Sequence, residues 1–239
     1  MGTLLLVRHG QARPFEKISD QLSEIGEQQA RALGRYLIEH DIRFDEMYSG
    51  TLIRQRRTAE IVGQQFVEAG LHWPEHRTLP GLNEYDADGV THKLIPAIAE
   101  RDERFRQLLV TFEENRQSPD RNRHFQKMFE VATKAWLGGE LEVEGVESWQ
   151  DFKTRVRLAL KQILEVEGSG RRVVAFTSGG VIGTSVQMAL SAPDQQALQL
   201  NWRVKNCSLT EFTFGKDRIS LDMFNAIPHL TDAGLQTYR

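Results

Sequence analysis

A chain of 239 residues, 40% hydrophobic and 26% charged, can bury a full core as one large domain or one domain with an insertion. A net charge of −3 gives no bulk attraction for nucleic acid or a membrane surface, so any anion site must be locally basic. The single cysteine, Cys207, makes no intrachain disulfide, and no stretch has the length of a membrane span or the basic leader of a signal peptide; the expectation is a cytoplasmic protein.

The apolar run Leu4 to Val7 reads as a buried strand that stops on Arg8-His9-Gly10. A neutral imidazole is nucleophilic at physiological pH, and a neighbouring guanidinium can neutralise phosphoryl oxygens with a planar fork of donors. Gly10 lets the backbone bend close to a ligand. Glu24 to His40 follows as a helix carrying Ile25, Ala32, Leu33, Tyr36 and Leu37, and Glu46 to Tyr48 as a second strand. Leu52 to Ala69 is the next helix, with Ile53, Ile61, Val62 and Phe66 as core positions and Ser49, Gly50 and Thr51 as cap candidates. Arg54 falls in its first turn, where free N–H groups and the helix dipole favour an anion, while Arg56 and Arg57 read as a solvated face. His72-Trp73-Pro74-Glu75-His76 has the letters of a metal-binding helix, but Pro74 disrupts that helix, and no metal site is expected.

Pro80-Gly81 marks a turn, which places Glu84 on a loop where a partly buried carboxyl could reach a bound ester; Asp86 and Asp88 compete for that role. Residues 90–145 break the strand and helix alternation and read as an inserted helical cap. Phe105, Leu108, Leu109 and Phe112 recur at helical spacing there, as do Phe125, Met128, Phe129, Ala132 and Trp136, a pattern of core packing rather than a cofactor box. Arg101, Arg104, Arg106, Arg121, Arg123 and Lys127 are nearly balanced by acidic neighbours and read as solvated. Trp149 to Val166 resumes the alternation as a helix, Gly168-Ser169-Gly170 reads as a turn, and Arg172 to Thr177 reads as a buried strand leading to Ser178-Gly179-Gly180. The whole implies an α/β fold: a mostly parallel, open sheet with helices on both faces, a single domain over 1–239, and functional groups at the carboxyl ends of strands.

Leu6 to Gln11, Asp20-Gln21-Leu22-Ser23 followed by Gly26 and Gln29-Ala30, Ser49 to Glu60, and Leu82-Asn83-Glu84 stand in an order that resembles the histidine phosphatase superfamily, also called phosphoglycerate mutase-like, in its larger cytosolic branch. The resemblance implies that His9 is the phosphorylated nucleophile, Arg8 and Arg54 the phosphate-binding arginines, Glu84 the proton donor to the leaving oxygen, and Gln11 a substrate contact. It also implies that insertions such as the helical cap shape the substrate pocket, and it implies no cofactor. After the strand ending at Thr177 the family usually has His-Gly, whereas this chain has Ser178-Gly179. Ser178 can donate a neutral hydrogen bond, and the N–H groups of Gly179, Gly180 and Val181 can hold an anion at the helix start. His229 is a candidate replacement for the absent ring, although a loop histidine is the plainer reading.

These residues favour a phosphoric monoester hydrolase working through phospho-His9 on a phosphorylated small molecule or a phosphoprotein. A phosphomutase is a variant of the same chemistry, and a non-catalytic phosphate-binding or interaction module is the alternative that has lost the second histidine. A serine hydrolase using Ser178, Asp222 and His229 in chain order ranks below these, because Phe176 stands where a nucleophile elbow has glycine and Arg8, His9 and Arg54 would go unexplained.

Overall fold

The protein is described here by a computed structural model covering residues 1–13, 20–139, 141–165, 170–215 and 218–238. In chain order its elements are β1 (Gly2–Arg8), α1 (Glu24–Glu39), β2 (Glu46–Ser49), α2 (Ile53–Glu68), β3 (His76–Thr78), α3 (Ala87–Gly89), α4 (Ile95–Arg101), α5 (Glu103–Glu114), α6 (Arg121–Gly138), α7 (Trp149–Leu164), β4 (Arg172–Thr177), α8 (Gly179–Ala189), α9 (Gln195–Asn201), β5 (Leu209–Gly215) and β6 (Arg218–Ala226). The expected positions Val166, Gly168 and Ser169 lie outside the described residues. Two compact units result, Met1–Glu84 with Arg155–Arg239, and Tyr85–Thr154.

The first unit holds one six-stranded sheet in the order β3-β2-β4-β1-β5-β6. β1, β4, β2 and β3 are parallel neighbours, while β5 runs antiparallel to β1, and β6 antiparallel to β5. The parallel centre explains the unbroken apolar runs, since a strand covered on both faces has no polar side to show. Along β1, Leu5 and Val7 join a core with Leu33 and Leu37 of α1, Ile61, Val62 and Phe66 of α2, and Val174 and Phe176 of β4. Leu4 and Leu6, on the opposite face, are also fully buried. Ile53, expected in the core, is 41% exposed, because the buried stripe of α2 instead begins at Gln55 and runs through Thr58, Ala59 and Val62.

The second unit is helical. Asp102 caps α5, accepting from the N–H groups of Arg104 and Phe105, and Gly139, in the left-handed region at φ 63°, ends α6. The aromatic stripes expected here pack on one another: Phe125 lies between Phe112 and Phe129, and Trp136 meets Tyr85, Trp149 and Phe152 while donating its indole N–H to the Glu147 carbonyl.

Candidate active site

His9 stands one residue beyond β1 and is 5% exposed. Its backbone N–H donates to the Thr177 carbonyl at 2.9 Å, and its own carbonyl accepts from the Cys207 N–H at 3.2 Å and from Asn206 Nδ2 at 3.4 Å. The ring is therefore hung from a peptide fixed on both sides. Nδ1 lies 2.7 Å from the Gly10 carbonyl, which can only accept, so Nδ1 carries the hydrogen and Nε2 keeps a lone pair, facing the Arg54 Nε–H at 3.1 Å. Burial, then the charges of Arg54 and Arg8, hold the His9 pKa well below the usual 6.5, against a smaller opposite pull from the Gly10 carbonyl. At neutral pH the ring is an uncharged base with one directed lone pair.

Gly10 serves a different purpose from the one its sequence suggests. A Cβ there would lie 2.5 Å from the Gly26 carbonyl, so the missing side chain lets α1 approach the turn. The Gly10 N–H donates to Thr58 Oγ1 at 3.0 Å, and Thr58 Oγ1 donates to the Arg54 carbonyl at 2.7 Å, tying the turn to the first turns of α2.

Arg54 lies in the first turn of α2 as expected, but the cap of that helix is not local. Leu52 holds the cap position and offers no side-chain acceptor. Asp20 supplies it instead: Oδ2 accepts from the Ile53 N–H at 2.7 Å, and Oδ1 pairs with Arg54 Nη1 at 2.6 Å. One carboxylate thus satisfies a helix-start donor and fixes the guanidinium that meets His9.

Glu84 follows the turn at Pro80–Leu82 on a loop, as expected. Its carboxylate accepts from the Gly180 N–H, at 3.1 Å to Oε1 and 3.3 Å to Oε2, so this amide, read from sequence as a donor to a bound anion, is occupied by Glu84. Arg155 of α7 holds the loop's backbone, donating to the carbonyls of Gly81, Asn83 and Glu84 at 3.2, 2.8 and 2.9 Å. The competitor Asp86 is spent on capping α3 through the Gly89 N–H, and Asp88 is exposed.

Ser178 is fully buried at the start of α8, with Gly179 next to it and packed against Asn201. Its Oγ accepts from Gln55 Nε2 at 2.8 Å, and the same nitrogen donates to the Leu82 carbonyl at 2.9 Å. Arg8 donates through Nη1 to the carbonyls of Val204 and Tyr238, the latter at 2.8 Å. Gln11 accepts from Ser23 Oγ at 2.8 Å and donates its backbone N–H to Gln29 Oε1 at 2.8 Å, a tie to α1.

The other histidine and serine readings separate. His229 is buried beside Tyr36, 6.0 Å between ring centroids, and neither ring nitrogen makes a hydrogen bond of good geometry. It is not joined to the His9, Arg54 and Ser178 bonds. Asp222 accepts from Thr213 on the neighbouring strand at 2.5 Å, so Ser178, Asp222 and His229 form no triad. His76 shares a hydrogen bond with Ser49 Oγ at 2.7 Å, and among the described residues no group of three or more His, Cys, Asp or Glu side chains could hold a metal ion.

Sequence reading assigned no role to Asp20, Gln55, Thr58 or Arg155. Gln55 and Thr58 did leave a signal, as polar residues on the buried stripe of α2.

The sequence and the fold are both similar to those of known proteins. The chain is 37% identical over 100 residues to a 2,3-bisphosphoglycerate-dependent phosphoglycerate mutase of Rhizobium meliloti, a match covering 36% of this chain and 47% of that protein. The chain thus spans about half the length of the curated relatives it matches, 47% for that protein. Among solved structures, Bacillus stearothermophilus YhfR superimposes with a TM-score of 0.65 at 19% identity, over 96% of this chain and 100% of the other. A mycobacterial glucosyl-3-phosphoglycerate phosphatase gives 0.60 at 25% identity, over 95% and 100%. The family description "Histidine phosphatase superfamily (branch 1)" matches residues 4–127 and 121–227. With that span covering nearly the whole chain, and with a mostly parallel α/β sheet bringing His9, Arg54 and Glu84 into the arrangement above, the protein belongs to branch 1 of the histidine phosphatase superfamily.

Proposed function

We propose that the protein is a phosphoric monoester hydrolase that works through a phosphohistidine on His9. The observation that carries this reading is the ring itself: its Nδ1 hydrogen is claimed by Gly10, and its Nε2 lone pair faces a guanidinium. When a phosphomonoester binds, the Arg54 N–H leaves Nε2 for a phosphoryl oxygen, which frees the lone pair to attack phosphorus. Arg8 adds positive charge close enough to act on the His9 ring. Ser178 accepts from Gln55, so its own hydrogen is the one it can give to a phosphoryl oxygen.

As the N–P bond forms, the P–O ester bond breaks, and protonated Glu84 gives its hydrogen to the departing alcohol oxygen. A water then attacks phospho-His9 with Glu84 as base, which returns the proton and releases inorganic phosphate. The net reaction is monoester plus water to alcohol plus phosphate. The Gly180 N–H and the three bonds from Arg155 to backbone carbonyls support this use of Glu84, because they fix the loop and the direction of its carboxyl group. The relatives and structural neighbours include both mutases and phosphatases, and hydrolysis needs no retained intermediate. The substrate is a phosphorylated small molecule or a phosphoprotein.

Rapid-quench labelling with radiolabelled acetyl phosphate tests this. An alkali-stable, acid-labile label is expected on the wild type and absent from His9→Ala. Arg54→Ala should label at least about 10²-fold more slowly, the scale for loss of a preorganised charge donor. No label on a folded wild-type protein that still binds phosphate would replace catalysis with phosphate binding.

A further inference from the structure

Gln55 is the one long polar side chain of α2 that is completely buried, and its contacts are unusual. The Leu82 carbonyl can only accept, so the side-chain nitrogen must be the atom facing it, and the amide orientation is fixed. Its second hydrogen goes to Ser178 Oγ. Both donors are thereby spent, while Oε1 is buried with no hydrogen-bond partner. A Cβ on Gly50 would stand 1.9 Å from that oxygen, so the backbone there leaves room for the amide and for nothing more. Keeping a buried acceptor unsatisfied is costly, and a site that tolerates it is using the other two bonds.

We infer that Gln55 is a positioning residue, a buried strut that holds three parts of the active site in one register. The ends of the strut are close in sequence to the groups that matter: Arg54 is adjacent to Gln55 on α2, Glu84 follows Leu82 by two residues, and Ser178 opens α8, whose Gly180 N–H holds the Glu84 carboxylate. Thr177 Oγ1 also donates to the Leu82 carbonyl, at 2.6 Å, which doubles the attachment at that end. Asn83 also ties this loop to the residues ahead of α2, its Oδ1 accepting from the Thr51 N–H at 2.7 Å and its Nδ2 donating to Thr51 Oγ1 at 2.8 Å. Both of those bonds are exposed and neither reaches Ser178, so without the buried amide the proton donor shifts relative to the phosphoryl clamp. This inference rests on the phosphohistidine reading above.

The test uses leaving groups. p-Nitrophenyl phosphate expels a stabilised phenolate that needs little protonation, whereas phenyl phosphate depends on the acid. In Gln55→Met, which keeps the length and loses both bonds, kcat/KM on phenyl phosphate, which reports only the steps up to departure of the alcohol, should fall by about 10²-fold, the scale of a misplaced catalytic group. The loss of kcat/KM on p-nitrophenyl phosphate should be much smaller. Urea unfolding of the same variant guards against misfolding, because the selective loss is read per folded molecule. A merely structural role would lower both substrates equally by reducing the folded fraction. An equal loss, or none, while His9→Ala abolishes turnover, overturns the strut and leaves phospho-His9 standing. A wild type with no His9-dependent turnover of either ester overturns both.

Discussion

Ser178 is held by Gln55 at 2.8 Å in a fully buried position, and this sets what the site will tolerate there. An imidazole at residue 178 must displace the Gln55 amide or distort the start of α8. Ser178→His alone should therefore be slower than the wild type, by up to about 10²-fold if the acid or the clamp shifts by an ångström. Shortening the obstacle should reverse the effect, so the double variant Gln55→Ala with Ser178→His should turn over p-nitrophenyl phosphate faster than the single one. A single variant that outperforms the wild type would show that the amide does not fill this space. At the same scale, one hydrogen bond sets the tautomer of His9: the Gly10 carbonyl fixes the hydrogen on Nδ1, and so leaves the lone pair on Nε2.

Helix α2 presents Arg54 because a carboxylate from a distant loop holds its first turn. Asp20→Ala removes the acceptor of the Ile53 N–H and the partner of Arg54 together, and should cost about 1 kcal/mol in urea unfolding, the usual price of a lost cap. Asp20→Asn retains an acceptor oxygen and should lose less; equal losses would assign the effect to charge rather than capping. These cross-chain contacts also mark where sequence reading ran out. β1, α1, β2, α2, α7 and β4 were legible because each carries its own periodicity, and His9, Arg8, Arg54 and Glu84 could be named as candidates because they stand in motifs. The cap of α2 was misplaced to Ser49, Gly50 and Thr51 because local residues of the right type were present, while the acceptor used lies 33 residues away from Ile53. Gln55 was missed for the same reason, since Leu82 and Ser178 lie 27 and 123 residues from it. β5 and β6 went unassigned as antiparallel partners because their pairing is a long-range choice that a run of alternating residues does not state.

For the molecule as a whole, two buried histidines make stability depend on pH. His229 is lowered from 6.5 to about 4 by burial, and the nearby Cys207 carbonyl only partly offsets this. The folded form keeps the ring neutral down to about 4 while the unfolded chain protonates it near 6.5. Its contribution is thus fully present above 6.5 and is lost as the pH falls towards 4, by up to ~3 kcal/mol. His9, also lowered, acts in the same direction. Urea midpoints measured across this range should fall for the wild type and fall less for His229→Leu; parallel curves would exclude the ring as a source. Arg8 carries a further consequence. Its guanidinium rests on carbonyls of Val204 and Tyr238, which follow it by 196 and 230 residues, and the His9 carbonyl depends on Asn206 and Cys207. Because those partners are synthesised 196 to 230 residues after Arg8, a growing chain carries the turn at His9 without the supports that hold it until they have been made.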